Sequence, residues 1–476
     1  MEALGTKTGG TVRIGLAALC ANWFQEVGLQ GESGELATIL QSDYARLVRC
    51  AEDCFGQVVA PGVISTVEQA ARAADLFRAG QIDALLLVHI MWSEDQPLLA
   101  LLAGCGDLPI LLWNYHPRGS LPPRLRVNEL FRCSGTVGML QGSAVLQRER
   151  VAFEMAYGTP DDDGLKQTLR EYGRALAMRK AFHGMPAGRI AGRCEVMTGT
   201  YVDEGALQRA LGTGLVEISA KEYADTCQAV SAQRVEAFYE HLVGHTPVEG
   251  VSEASLRLAC RNTLALDDLV ARYDLGAVAI QDLDPELHRL AGTRPCLCPP
   301  LSRERGVAFG MESDLNSALG LLAGMHASGR PGMFTEVFTF DPQENTLLMG
   351  HAGVHDPRLA DAEGVTIVPD AEFRLADPVE GAWQEFILAP GPVTCVSLYD
   401  TGQGYRLTAF RGESLGGPRR LQGFAHAIVR PAMPVADLLG RLVRLGMTQH
   451  LSVVPGDVIR ILGTWCRLRG IEFCLI

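Results

Sequence analysis

The sequence predicts an α/β protein in three parts: two doubly wound parallel-sheet domains, then a β-rich, antiparallel barrel-like C-terminal domain. Three observations carry this. From Val12 to Trp113, short β-branched or Leu-rich runs alternate with amphipathic stretches, the pattern of a parallel sheet covered on both faces. A second alternation runs from Arg189 to Ile280. After about Arg330, short strand-like runs are separated by Gly, Pro and Asp, as in an antiparallel barrel or sandwich. A chain of 476 residues also exceeds the roughly 250–300 residues that one core sustains. The expected domains are 1–143, 144–329 and 330–476.

In chain order, Val12–Leu19, Val58–Ile64, Ala84–Ile90 and Ile110–Trp113 read as strands, with Asp43–Cys54 and Val67–Ala79 as helices. Arg118–Arg126, with Pro122–Pro123, breaks the alternation and reads as a loop. Ala144–Gly184 reads as helical, the acidic run Asp161–Asp163 suiting a helix N-terminus. Strands are expected at Arg189–Met197, Leu215–Ser219 and Ala277–Ile280, and helices at Asp203–Leu211, Gln228–Leu242 and Ala254–Tyr273. In the last part Val337–Phe340, Thr346–Met349, Val365–Val368, Glu385–Leu388, Val393–Leu398 and Tyr405–Phe410 read as strands. The tail adds helices at Ala436–Leu445 and Val458–Arg469 and an apolar strand at Ile471–Ile476.

Composition excludes several classes of function. The hydrophobic set is 47% and charged residues are 20%, a globular balance that rules out a disordered scaffold. Forty-two Lys and Arg against 55 Asp and Glu give −13, the wrong sign for the basic footprint of a nucleic-acid binder. Thirteen scattered cysteines without a regular framework read as reduced thiols, and the N-terminus lacks a basic region followed by a long apolar one. The apolar runs Ala84–Trp92 and Pro97–Gly104 fall short of the ~20 residues that span a bilayer. A soluble cytoplasmic protein, without nucleic-acid or membrane partners, is expected.

Common motifs yield little. Gly212-Thr213-Gly214 lacks the third glycine and the strand-to-helix setting of a dinucleotide fingerprint and reads as a turn, which counts against an NAD-dependent oxidoreductase. No phosphate-binding GxxxxGK[ST] loop occurs, and the only lysines are Lys7, Lys166, Lys180 and Lys221. Cys50/Cys54 and Cys296/Cys298 have no second ligand pair at zinc-finger spacing and read as structural thiols.

The informative block is Val307–Pro357. Glu312-Ser313-Asp314 open a helix whose Ala318, Leu321, Leu322 and Met325 form one face. Glu336 sits among Phe334, Val337 and Phe338, and a carboxylate in so apolar a segment needs a partner or a metal. His351 follows the apolar run Leu347–Met349 across Gly350. Two Glu and one His at the ends of separate elements make a mixed oxygen and nitrogen set suited to Mn²⁺ or Co²⁺, and such a site needs a fourth, distant donor. Three plainer readings stand beside it: Glu312 caps its helix, Glu336 pairs with an Arg, and His351 is a core histidine.

At this block the sequence resembles the L-arabinose isomerase and L-fucose isomerase superfamily, closer to the arabinose branch, with similarity over most of the chain. FGMESDLNSALGLL is similar to the branch's F-x-x-E-G-D-W-x-x-A segment, and GMFTEVFTFDPQENTLLMGH to its S-F-M-E-D-Y…L-G-S-H segment. ALLLVHIMWS, VTCVSLYDTGQGYRL and the tail MTQHLSVVPGDVIRILGTWCRLRGIEFCLI match further segments. The pattern departs at Val337, at Gln449 beside His450, in AGVHDP, at Asn114 with His116 two positions on, and in ALCANWF, positions that shape the family's sugar pocket. The resemblance therefore leaves the sugar unnamed.

What the resemblance implies is an aldose–ketose isomerase of a pentose, hexose or deoxy sugar that works through an enediolate. It supplies His450 as the distant donor, so that Glu312, Glu336, His351 and His450 would hold a divalent metal, Mn²⁺ first with Co²⁺ or Mg²⁺ as alternatives. Glu312 and Glu336 would be the catalytic acid/base pair. Asp314, His355, Trp92 and Trp113 are the candidate substrate-binding residues, the tryptophans as an aromatic wall from a neighbouring subunit. A homotrimer or homohexamer with the site near a subunit interface is implied as well. Alternative readings are a divergent member with another reaction, such as a sugar epimerase or modified-sugar isomerase, and a non-catalytic carbohydrate-binding protein.

Overall fold

The computed structural model describes residues 11–24, 34–370, 372 and 381–476. The chain divides into two compact units, Gly9–Ala177 and Met178–Ile476. The first is built on a parallel sheet of β1 (Arg13–Leu19), β2 (Gln57–Val59), β3 (Val63–Ile64), β4 (Ala84–His89), β5 (Ile110–Tyr115) and β6 (Phe153–Gly158). The order is β2-β1-β4-β5-β6, with β3 also on β1. β4 is buried along its whole length, which is why it reads as a continuous apolar run. The helix Val67–Ala79 matches its expected bounds because Thr66 and Gln69 form a capping box that defines its start.

Two expectations fail here. Val58–Ile64 is two short strands, because Ala60-Pro61-Gly62 intervenes, with no amide hydrogen on Pro61 and Gly62 at φ 104°. Ala144–Gly184 is not one helical stretch: the helices Gly135–Arg148 and Asp163–Phe182 flank β6. β6 pairs in parallel with β5 at the sheet edge, where Met155 and Tyr157 are exposed. An edge strand that is half polar in environment lacks the apolar run that marks β4. Because β6 completes this sheet, the first unit extends beyond the edge expected at 143.

The second unit carries two sheets. β7 (Pro186–Ile190), β8 (Gly214–Ile218), β9 (Ala277–Ile280) and β10 (Ala308–Met311) form a parallel sheet in the order β10-β9-β7-β8. The expected helix Gln228–Leu242 is instead the pair Ala220–Ala229 and Ala232–His245, because Ser231 starts the second by accepting a hydrogen bond from the Arg234 amide. Gly212 caps the helix Glu204–Leu211 in the left-handed conformation, so the Gly-Thr-Gly run is a turn.

The second sheet comprises β11 (Met333–Asp341), β12 (Thr346–Gly350), β13 (Thr366–Pro369), β14 (Ala382–Ile387), β15 (Gly391–Asp400), β16 (Tyr405–Ser414), β17 (Ala425–Pro431), β18 (His450–Pro455) and β19 (Glu472–Leu475). β17-β12-β11-β18-β15-β16 runs in that order, and the β16–β17 pairing closes it into an antiparallel barrel. The strands β17 and β18, for which no strand is expected from the sequence, complete the ring. Met333, Met349, Cys395, Phe410, Ala427 and Val453 belong to its apolar core. With side chains alternating along a strand, Phe334 and Glu336 take the face opposite to Met333.

The helix Leu315–Ser328 is buried around nearly its whole circumference, not only along the expected face, because it packs on β9 and β10 as well as on β15 and β18. Gly324 permits that approach: a Cβ there would meet Val454 Cγ1 at 2.7 Å and Cγ2 at 3.3 Å. Among the described residues, no helix is long and apolar enough to cross a membrane.

Two predictions follow from packing and burial. Gly→Ala in a helix ordinarily stabilises, but Gly324→Ala should destabilise by about 1–3 kcal/mol through overpacking against a branched side chain in a buried strand; a thermal or denaturant melt reads this. In the first unit His89 is buried against Gly138 and Gly142, with Nδ1 2.9 Å from Ser93 Oγ, and burial lowers its pKa to about 4 against a smaller opposing effect of Asp95. The unfolded chain therefore takes up this proton first, and stability is lost as pH falls from about 6.5 towards 4, by up to roughly 3 kcal/mol. His89→Gln should flatten that slope in melts at pH 7, 6 and 5.

Candidate metal centre

β10 ends at Met311, and the next two residues, Glu312 and Ser313, both have positive φ, 55° and 57°. Left-handed backbone costs a non-glycine residue of order 1–2 kcal/mol, so other contacts must hold this turn. The Glu312 amide donates to Asp282 Oδ1 at 2.9 Å, the Ser313 amide to the Ile280 carbonyl at 3.0 Å, and the Ser313 hydroxyl to the Gly192 carbonyl. The turn thereby sets Glu312 at the carboxyl ends of β9 and β10, where open parallel sheets place their ligands.

Asp314 caps the helix Leu315–Ser328, with Oδ1 accepting from the Ser317 amide at 2.9 Å and Oδ2 from the Ser317 hydroxyl at 2.7 Å. The same Oδ2 lies 2.8 Å from Nδ1 of His450, the first residue of β18. A nitrogen that close to a carboxylate carries the proton, which leaves the Nε2 lone pair facing away. His351, just after β12, is set the same way, its Nδ1 donating to the Ala352 carbonyl at 2.7 Å. Phe334 touches both rings, at centroid distances of 5.0 Å from His351 and 4.8 Å from His450.

Glu312, His351 and His450 bring one donor atom each within 4.8 Å of one another. His450 Nε2 is buried and makes no hydrogen bond, although Glu312 Oε2 lies 3.1 Å away. A buried polar atom left in this way, beside a carboxylate and a second imidazole, fits a divalent cation held by two neutral nitrogens and an oxygen. Without a cation, burial pulls the His450 pKa down, but the Asp314 and Glu312 carboxylates outweigh it and raise it to about 9. Burial likewise favours the neutral acid of Glu312, yet His450 and His351 bring its pKa below the ordinary value.

Glu336 is half-buried and stands opposite both His450 on β18 and Gly350 on β12, and so on their face of the barrel. Its carboxylate is not within 4.8 Å of all three other donors, and the structure brings together three of the four expected ligands. Among the described residues, it has no hydrogen bond or ion pair, so the plainer reading in which Glu336 pairs with an Arg finds no partner. The helix cap is Asp314, not Glu312.

Of the four expected sugar contacts, two are buried against the cluster histidines and two belong to the first unit. Asp314 is wholly buried, its oxygens occupied by Ser317 and His450. His355 is also buried; its Nε2 donates to the His351 carbonyl at 2.9 Å, and burial lowers its pKa to about 4. Both therefore hold the two histidines in place and offer no surface to a sugar. Trp113 is in the core of the first unit, its Nε1 donating to the Gly158 carbonyl at 2.9 Å, and cannot form an exposed wall. Trp92 is half-buried in that unit and donates to Gln141 Oε1 at 2.9 Å. Sequence reasoning missed Asp282, whose only signal is its place just beyond the apolar run of β9.

No family model matches the chain. Several sulfoquinovose isomerases are similar to it. That of Priestia aryabhattai is 23% identical over 424 residues, covering 87% of this chain and 90% of that protein. That of Alkalicoccus urumqiensis is 23% identical over 371 residues, covering 77% and 81%. That of Clostridium sp. (strain MSTE9) is 22% identical over 430 residues, covering 88% and 91%.

Asp314→Asn keeps a good helix cap but removes the charge behind His450. If the cluster holds a divalent cation, the change should weaken its binding by about 10–100-fold in calorimetric titration, as loss of a ligand's hydrogen-bond partner does elsewhere.

Proposed function

We propose that this chain, an aldose–ketose sugar isomerase, works with a divalent cation held by Glu312, His351 and His450 and completed by Glu336, and that its substrate is sulfoquinovose, a sulfonated hexose. The observation that carries the reading is the three-donor cluster in which both histidines are buried and His450 Nε2 faces Glu312 Oε2 at 3.1 Å, with Glu312 at the carboxyl end of a parallel sheet. Glu336 enters through its register opposite His450 and through the resemblance to L-arabinose isomerases. The similarity to sulfoquinovose isomerases supports the choice of sugar.

Isomerisation moves a proton between C1 and C2 and another between O1 and O2. A bound divalent cation supplies Lewis-acid stabilisation of the negative charge that develops on O1 and O2 in the enediolate. The protein's own groups do the rest. Glu336, without an ion-pair partner among the described residues, and Glu312 form the acid/base pair, exchanging roles between the two directions. His351 and His450 are neutral donors fixed in one tautomer, so neither competes for the substrate's protons. Phe334, packed against both rings, keeps water from their inner side.

The assembly proposed is a homotrimer or homohexamer in which a neighbour's first unit, Trp92 included, approaches the site. We place the enzyme in the cytoplasm, where its thirteen free cysteines would stay reduced.

The test is incubation of the Mn²⁺-loaded protein with sulfoquinovose in deuterium oxide. Ketose should form with deuterium entering at the carbon that is deprotonated, and Glu336→Gln should lower turnover by about 10²–10⁴-fold while the protein stays folded. Conversion of unsulfonated hexoses but not of sulfoquinovose would refute the substrate, and full turnover by Glu336→Gln would refute the acid/base role.

A further inference from the structure

We infer that Arg294 is a positioning residue for this site, setting Glu312 through Asp282. The inference rests on the cation reading above. Arg294 is 1% exposed, and its guanidinium engages carboxylates from separate parts of the second unit. Nη1 donates to Asp282 Oδ2 at 2.8 Å. Nε and Nη2 grip Asp370 Oδ2 and Oδ1 at 2.8 and 3.0 Å, and Nη2 also reaches Glu372 Oε2 at 2.8 Å. The guanidinium carbon lies 5.2 Å from the centre of the Trp383 ring, on β14.

The other oxygen of Asp282 accepts the Glu312 amide. Arg294, Asp282 and the Glu312 main chain thus form one continuous polar chain, ending at the residue whose backbone is left-handed. His288 braces the same aspartate, its Nε2 donating to the Asp282 carbonyl at 2.6 Å. At the other end, Asp370 follows β13, which pairs with β14, and β14 pairs with β17 beside β12, the strand that leads into His351. The arginine therefore joins the layer that presents Glu312 to the barrel strands that present a histidine. Only a planar fork with several donors serves three carboxylates at once; a lysine is a point charge and an asparagine at 282 offers a single acceptor oxygen, for either Arg294 or Glu312. One guanidinium among three carboxylates also leaves a negative surplus beside the cluster, which a dication relieves.

The experiment compares Arg294→Lys and Asp282→Asn with wild type and with Val235→Ala, a buried-residue control on the distant helix Ala232–His245. Calorimetric Mn²⁺ affinity, the visible absorption of bound Co²⁺ and the melting temperature are measured on each. Both site variants should bind Mn²⁺ at least ~10-fold more weakly and shift the Co²⁺ spectrum, with kcat falling more than KM rises. The control should melt earlier yet keep affinity and spectrum. Should Arg294→Lys not fold, Asp282→Asn decides by the same readouts. Wild-type affinity and spectrum in the folded variants, whatever their melting temperature, would overturn the inference alone. Wild-type protein that binds neither ion would overturn the cation reading and this inference with it.

Discussion

The site depends on one buried carboxylate. Asp314 has no exposed surface, and a charge so placed persists only if its oxygens are satisfied. It satisfies them by starting a helix with one oxygen and holding the His450 ring with the other. The helix belongs to the layer beside the parallel sheet, and His450 begins a barrel strand. A single side chain thereby fixes the helix start, the histidine tautomer and the place where the two layers meet. The glycine at 324, farther along the same helix, keeps the layers close enough for that contact.

Around Asp314 the remaining groups follow a common logic. Each imidazole has its Nδ1 proton committed to an oxygen, and His450 turns its other nitrogen to within 3.1 Å of Glu312 Oε2. The positive φ of Glu312 and Ser313 is the strain this arrangement carries, and Asp282, Ile280 and Gly192 supply the acceptors that hold it. Glu336 differs, since its position comes from β-sheet register alone and nothing among the described residues holds its carboxylate. A group so placed is free to move, whereas the other three are set in advance.

Much of this was legible in the sequence where the signal is local. The helices Val67–Ala79 and Glu253–Tyr273 and the strand Ala277–Ile280 declare themselves by periodicity and caps. A glutamate inside Phe334–Phe338 is equally local, and it marked the block that carries most of the site. Long-range pairings leave no such trace. The Asp314–His450 contact spans 136 positions, and His450 entered only through resemblance to a family. Asp282 and Arg294 look like any surface Asp and Arg until the fold buries them together. β6 carries no apolar run because it is an edge strand with exposed side chains, and the burial of Asp314 and His355 is not legible because a polar residue in a motif does not reveal which way it points.

Glu312, His351 and His450 are proposed as cation ligands. Anomalous diffraction at the manganese edge, from crystals grown or soaked with Mn²⁺, tests this assignment most directly. One strong peak per chain is expected, bonded by Glu312 and by Nε2 of both histidines, with the Glu336 carboxylate drawn in as the fourth protein donor. Absence of a peak among these residues in fully loaded crystals, or a peak bound only elsewhere, would contradict it.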